Sequence, residues 1–152
     1  MEYCDINIDF IKRTVDIIND YDGQYEVTLL LNCCTGLLVL PKEVHNNLIP
    51  NLEIPVTGSI WGLKRSYLSF GSQGDDYTLS YIIRRLRNGI CHFKVQTLPD
   101  GSGNISTLII NDFNGSRSST DTFKAELPIS ALKELVNALA CHVLQHKAPS
   151  SP

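Results

Sequence analysis

The sequence predicts one α-rich domain carrying a small antiparallel β-element ahead of its last helix. Three observations lead there. Several segments repeat apolar residues at helical spacing, while one stretch alternates around a turn-forming PDGSGN. With 152 residues, 43% of them hydrophobic, the chain is long enough for one sizeable core, and no linker or internal repeat divides it. The domain is therefore set at residues 1–147, followed by a disordered tail at 148–152.

The first helix is capped by Asp5 or Asn7, and Phe10, Thr14, Ile17, Ile18 and Tyr21 form its apolar stripe. YDGQ breaks it. A second helix, from about Gln24 to Leu40, is apolar nearly all round and belongs at the centre, with Pro41 closing it. Residues 41–74 contain too many prolines and glycines for a long element; within them WGLKRSYLSF reads as a short helix or a strand. Asp75 and Asp76 suit the N-terminal dipole of a third helix whose stripe is Leu79, Ile82, Ile83, Leu86 and Ile90. FKVQ and ISTLII then form a hairpin, TFKAEL adds a third strand after the polar loop NGSRSSTD, and Pro128 opens a last helix. Its inner face is Ile129, Leu132, Leu135, Val136, Leu139 and Val143.

Charge is unevenly spread. The net charge is −3, which argues against a generic nucleic-acid coat. Residues 1–30 hold seven acidic residues against Lys12 and Arg13, whereas residues 64–94 hold six basic residues against Asp75 and Asp76. The positive field is local, and screening confines each charge to about 10 Å. VTLLLNCCTGLLVL is too short and too interrupted to cross a bilayer, and the acidic N-terminus does not read as a secretory signal. Five cysteines without a CxxC pair fit a reducing cytoplasm rather than a disulfide framework or a thiolate zinc site.

The third helix ends in RRLRNGICHFKV, the densest basic stretch of the chain. On an ideal helix Arg87 and His92 lie roughly 140° and about 7.5 Å apart, so one chain does not converge them on one ligand. A kink at Gly89 would bring them together, as would a second copy approaching across a two-fold axis. Such a dimer gathers two arginines, two asparagines and two histidines into one cleft. RNA carries its own nucleophile, the 2′-hydroxyl, so its cleavage requires proton transfer and charge stabilisation but no metal-activated water. Imidazole titrates near working pH, at about 6.5 as a free side chain, and guanidinium grips phosphate oxygens in a bidentate manner. Asn88 either orients the histidine or donates to phosphate. On residues alone, the same stretch also reads as basic residues opposing the helix dipole beside a structural histidine.

Arg87-Asn88-Gly89-Ile90-Cys91-His92 resembles the R-x(4-6)-H motif of the HEPN superfamily, in which a polar residue follows the arginine. The wider LRNGICHFKV is similar to stand-alone bacterial HEPN proteins, including a plasmid-encoded subfamily with a small β-hairpin before its last helix. The resemblance implies a mainly α, HEPN-like helical bundle, a homodimer with facing motifs, and metal-independent endoribonuclease activity in toxin–antitoxin or phage-defence systems, with an antitoxin protein as a possible partner. Carried over by position, Arg87 is the motif arginine, Asn88 the polar residue and His92 the catalytic histidine. Gly89 departs from the small helix-compatible residue expected there, at a cost of about 0.5–1 kcal/mol relative to alanine. Arg84, Arg85, Lys64 and Arg65 are expected as accessory RNA contacts. The competing readings are a non-catalytic HEPN-like module binding RNA, a nucleotide or a protein, and an interaction protein whose basic helix end meets an acidic partner.

Other candidates carry less. His142 and His146, beside Cys141, have helical spacing but no acidic ligand in sequence, so no metal site and no cofactor are expected. His45 has no partner in sequence, and Cys33-Cys34 read as small buried residues. GSGN and FGSQG are turns, without the lysine and serine or threonine of a phosphate loop. Trp61 and Tyr67, with Lys64 and Arg65, read equally as an RNA-contacting surface and as aromatic plugs of the core.

Overall fold

The computed structural model describes residues 6–39, 49–113 and 121–147. The proposed cap Asp5, the helix stop at Leu40–Pro41, His45, the loop at 114–120 and the tail at 148–152 lie outside the described residues. In chain order the elements are α1 (Ile6–Asp20), α2 (Glu26–Val39), a 3₁₀ turn (Arg65–Tyr67), β1 (Leu68–Phe70), α3 (Leu79–Cys91), β2 (Val95–Pro99), β3 (Ile105–Phe113), β4 (Thr122–Pro128) and α4 (Ile129–Lys147).

Among the described residues the architecture is mixed α/β, not the mainly helical bundle that the sequence suggested. All four strands join one antiparallel sheet in the order β1-β4-β3-β2. The expected β-element was smaller for two reasons. β1 has three residues in a glycine-rich stretch without periodicity; it exists because Leu68, Ser69 and Phe70 pair with Ala125, Lys124 and Phe123. β3 runs past ISTLII through Asn111, Asp112 and Phe113, paired throughout with β4. WGLKRSYLSF holds both a 3₁₀ turn and a strand, so neither single reading was complete.

Alternation assigns the sheet its inner face. Leu108, Ile110, Phe123, Ala125 and Leu127 are buried and join one core cluster with α3 and α4, whereas Ser69, Thr122 and Glu126 face outward and are exposed. At about 25 cal/mol per Å², each large inward side chain contributes roughly 1.5–3 kcal/mol of hydrophobic stabilisation. α4 follows its expected stripe closely, with Leu132, Leu135, Val136, Leu139 and Val143 buried. α1 departs from its own, since Ile11, Thr14 and Ile18 are buried while Ile17 is 48% exposed. α2 turns Leu30, Cys33, Cys34, Leu37 and Leu38 inward but leaves Thr28, Asn32 and Thr35 exposed, so it flanks the core rather than running through its centre. Glu26 at its start pairs with Lys133 of α4. No helix among the described residues is long and apolar enough to cross a membrane.

α3 begins at Leu79 rather than at the acidic pair. Asp76 instead accepts the Thr78 backbone N–H at 2.9 Å and the Thr78 hydroxyl at 2.7 Å, a side-chain turn that sets the entry to the helix. The helix runs on to Cys91, unbroken through Gly89. A Cβ there would stand 2.5 Å from Ile110 Cγ2 and 2.6 Å from Asn111 O, so the missing side chain is what lets α3 lie against β3.

Candidate functional site

α3 is strongly amphipathic, and its polar residues separate into two groups according to what the sheet offers them. Arg85 points inward and is 6% exposed. Its Nη1 donates to Asp121 Oδ1 at 2.7 Å and its Nη2 to the Asp112 carbonyl at 2.9 Å. Its Nε lies 2.8 Å from Asp112 Oδ2, an ion-pair contact without the alignment of a hydrogen bond. A guanidinium buried with two carboxylates is a structural device, so the sequence-level assignment of Arg85 as an RNA contact does not match where the fold puts it.

Arg87 receives different treatment. It is half-buried, its Nη2 donates to Asn88 Oδ1 at 3.0 Å, and it has no carboxylate partner among the described residues. Asn88 in turn donates through Nδ2 to Asp112 Oδ2 at 3.3 Å. Asp112, 7% exposed, thus joins Arg85 to the Asn88 amide, and the amide presents its oxygen to Arg87. The order of the amide follows from this: with the nitrogen committed to Asp112, only the oxygen is left for the guanidinium.

The helix closes with a Schellman motif. Phe93 N–H donates to Ile90 O at 3.0 Å and Lys94 N–H to Gly89 O at 2.8 Å, with His92 as the C-cap residue. His92 is exposed, and its imidazole has no hydrogen-bond or ion-pair partner among the described residues. The same turn starts the sheet, where Lys94 O accepts from Asn111 N–H at 2.9 Å. Lys94 Nζ donates to Phe113 O at 2.9 Å and sits 3.8 Å from the Phe113 ring centroid, with no carboxylate partner among the described residues. Arg87 and Lys94, neither with a carboxylate partner among the described residues, and exposed His92 thus belong to the end of α3 and the turn that closes it.

The remaining expected contacts are dispersed. Arg84 lies over the Tyr81 ring at 5.1 Å, on an open pocket of about 370 Å³ that Asp75, Asp76 and Asp121 also line, a setting unsuited to phosphate. Arg65 pairs with Glu53 at 2.6 Å, donates to Ile54 O at 2.7 Å and stacks on Tyr77 at 4.2 Å. Lys64 is exposed near the Tyr67 ring. None of these contacts reaches Arg87, Asn88 or His92. Trp61 packs its ring 5.3 Å from that of His142, which lies 4.1 Å from His146, so these aromatics brace a turn against α4. The described residues hold no group of three His, Cys, Asp or Glu side chains able to share a metal ion. Burial pushes both the Cys33 and Cys34 thiols up, with the neighbouring Cys33 adding to the effect at Cys34, which removes them as nucleophiles.

The residue that sequence reasoning missed is Asp112. Its signal was present, because the alternation that turns Leu108 and Ile110 inward also turns Asp112 inward, opposite a helix rich in arginine.

A family model described as HEPN pEK499 p136 matches residues 1–150. The chain belongs to this HEPN family. No curated protein and no solved structure matches it. The match takes in the whole sheet as well as α3, so in this HEPN protein the arginine-to-histidine helix end is built on an α/β scaffold. The resemblance drawn from Arg87 to His92 identified the family correctly, and the mainly α bundle with only a small β-element that it implied is the part that the four-stranded sheet corrects.

Proposed function

We propose that this HEPN protein is a metal-independent endoribonuclease acting as a homodimer. The observation that carries the reading is the contrast at α3. Arg85 is neutralised by two carboxylates, whereas Arg87 is aimed by Asn88 and left without one, beside the turn that presents His92. Arg87 holds a non-bridging phosphate oxygen and stabilises the charge that grows on phosphorus. An imidazole removes the 2′-hydroxyl proton, the 2′-oxygen bonds to phosphorus, and the bond to the 5′-oxygen breaks as that oxygen takes up a proton. The products are a 2′,3′-cyclic phosphate and a 5′-hydroxyl. Two proton positions are needed and each chain brings one histidine to this helix end, so a second copy supplies the other imidazole across a two-fold axis. The biological setting proposed is toxin–antitoxin or phage defence, with an antitoxin protein as the restraining partner.

A second reading has its own observation in support. No described group orients the His92 imidazole, as a binding module that never transfers a proton would allow. Cleavage of mixed RNA in excess chelator separates the two. The nuclease reading expects cyclic-phosphate ends from the wild type and a loss of about 10²–10⁴-fold in His92→Ala. Equal activity in the variant removes His92 from the reaction, and RNA binding without cleavage establishes the module. A monomer by sedimentation ends the two-fold arrangement.

A further inference from the structure

Two residues other than glycine adopt positive φ among the described residues, Trp61 at 51° and Phe93 at 53°. Bulky side chains rarely take this conformation, and one that does so persists only where something else fixes it. For Trp61 the compensation is visible. Its ring packs against His142 and the core, and Gly62 beside it approaches Ala131 O so closely that a Cβ would stand 2.7 Å away. Phe93 has none of this. The Schellman hydrogen bonds require a left-handed residue at its position, where glycine is the usual occupant, yet the phenyl ring is 80% exposed and packs on nothing in the core.

We infer that Phe93 is a stacking platform for an unpaired base of the RNA beside the linkage that His92 and Arg87 address; the inference rests on the nuclease reading. His92 and Phe93 are consecutive across a trans peptide, about 3.8 Å between Cα atoms, so a base on the ring brings its own ribose and phosphate to the imidazole. On the other side Lys94 is pinned by Phe113 and remains a cation without a described carboxylate, available to the next phosphate. An exposed ring flanked by imidazole and ammonium suits a single-stranded polyanion whose bases present flat aromatic faces. In duplex RNA the base faces are already stacked on one another, which sets the substrate class as loops, ends and single strands. Stacking on one aromatic ring is tolerant of sequence, so the contact selects unpaired bases rather than a particular base.

The test uses the full chain with Phe93→Gly and Phe93→Trp. Binding of a single-stranded oligoribonucleotide carrying 2-aminopurine, and of a blunt duplex of the same sequence, is read in the His92→Ala background, where the substrate survives. Phe93→Gly is expected to weaken single-strand binding about 5- to 150-fold, to reduce quenching of the probe and to leave duplex binding unchanged. Phe93→Trp restores both signals. Because glycine relaxes the left-handed turn, the Tm of Phe93→Gly rises rather than falls, which separates lost stacking from lost folding. With His92 intact, cleavage whose KM is the same in Phe93→Gly overturns the platform and leaves the nuclease standing. Phe93-dependent binding by a wild type that does not cleave overturns the nuclease and leaves the platform. Loss of the dimer in Phe93→Gly with single-strand affinity unchanged assigns the ring to a protein interface and overturns the inference, as does a wild type that binds no RNA.

Discussion

Arg85 and Arg87 stand two residues apart on α3, and the molecule uses their charges in opposite ways. About 200° of helix rotation separates them. Arg85 meets buried Asp112 on the sheet and the partly exposed Asp121 just before β4; Arg87 meets an amide and solvent. One charge is paired with carboxylates across the helix–sheet contact, and the other has no carboxylate partner among the described residues. A cluster of basic residues in sequence is therefore not a measure of the positive surface that a ligand encounters. Asp112 links the two, since the carboxylate that pairs with Arg85 also fixes the amide that aims Arg87.

The sharpest way to break this comparison is to remove each arginine in turn. Arg85→Ala leaves Asp112 buried without its cation, and a stability loss of about 3–5 kcal/mol by urea titration is expected. The Asp121 pair adds little to that figure, because its carboxylate is 37% exposed. Arg87→Ala reverses the pattern. Its stability should stay within about 0.5 kcal/mol of wild type, while cleavage falls about 10²–10³-fold. An Arg87→Ala protein that unfolds, or an Arg85→Ala protein that does not, would show that the two roles were assigned the wrong way round.

Gly89→Ala tests the contact on which the comparison depends. Alanine ordinarily strengthens a helix by roughly 1 kcal/mol. Here the new methyl meets Ile110 and the Asn111 carbonyl, and overpacking of about 1–3 kcal/mol outweighs that gain. A small net loss in thermal unfolding is the expected result, and a gain would mean that α3 moves off β3 without cost. The smallest effect concerns the buried cysteines. Their native thiols are held protonated by burial, whereas the unfolded chain ionises near the ordinary thiol value of about 8.5. The raised native pKa gives a contribution fully present below the unfolded value and lost progressively as pH climbs from there towards the native one, so stability declines on the alkaline side. Iodoacetamide at pH 8 should label exposed Cys91 and Cys141 while sparing Cys33 and Cys34 until the protein unfolds.

Legibility followed the range of the interactions involved. The stripes of α3 and α4 could be read because helix periodicity is local and repeats over several turns. In WGLKRSYLSF a strand could be read only as one of two alternatives, since the three residues of β1 have no period and are defined by the β4 backbone beside them. The same holds at the site. Arg87, Asn88 and His92 are visible as a spacing, but Arg84, Arg85, Lys64 and Arg65 group with them on charge alone, and the partners of Arg85 at Asp112 and Asp121 and of Arg65 at Glu53 and Tyr77 lie 12 or more residues away in sequence. Phe93 has the sequence setting of a strand residue, and its positive φ puts it in the turn before β2 instead.

The sequence by itself determined that this is a HEPN-family chain, where its last two helices run, and which arginine-to-histidine stretch ends α3. Those features are carried by neighbouring residues and need no partner from elsewhere in the chain. Only the tertiary structure decided that the four described strands form one sheet, that Arg85 pairs with two carboxylates while Arg87 meets an amide, and that Gly89 is a close contact between α3 and β3. Each of those outcomes depends on which groups meet across the α3–β3 interface, and the burial and pairing of a charge are settled there, not by its position along the chain.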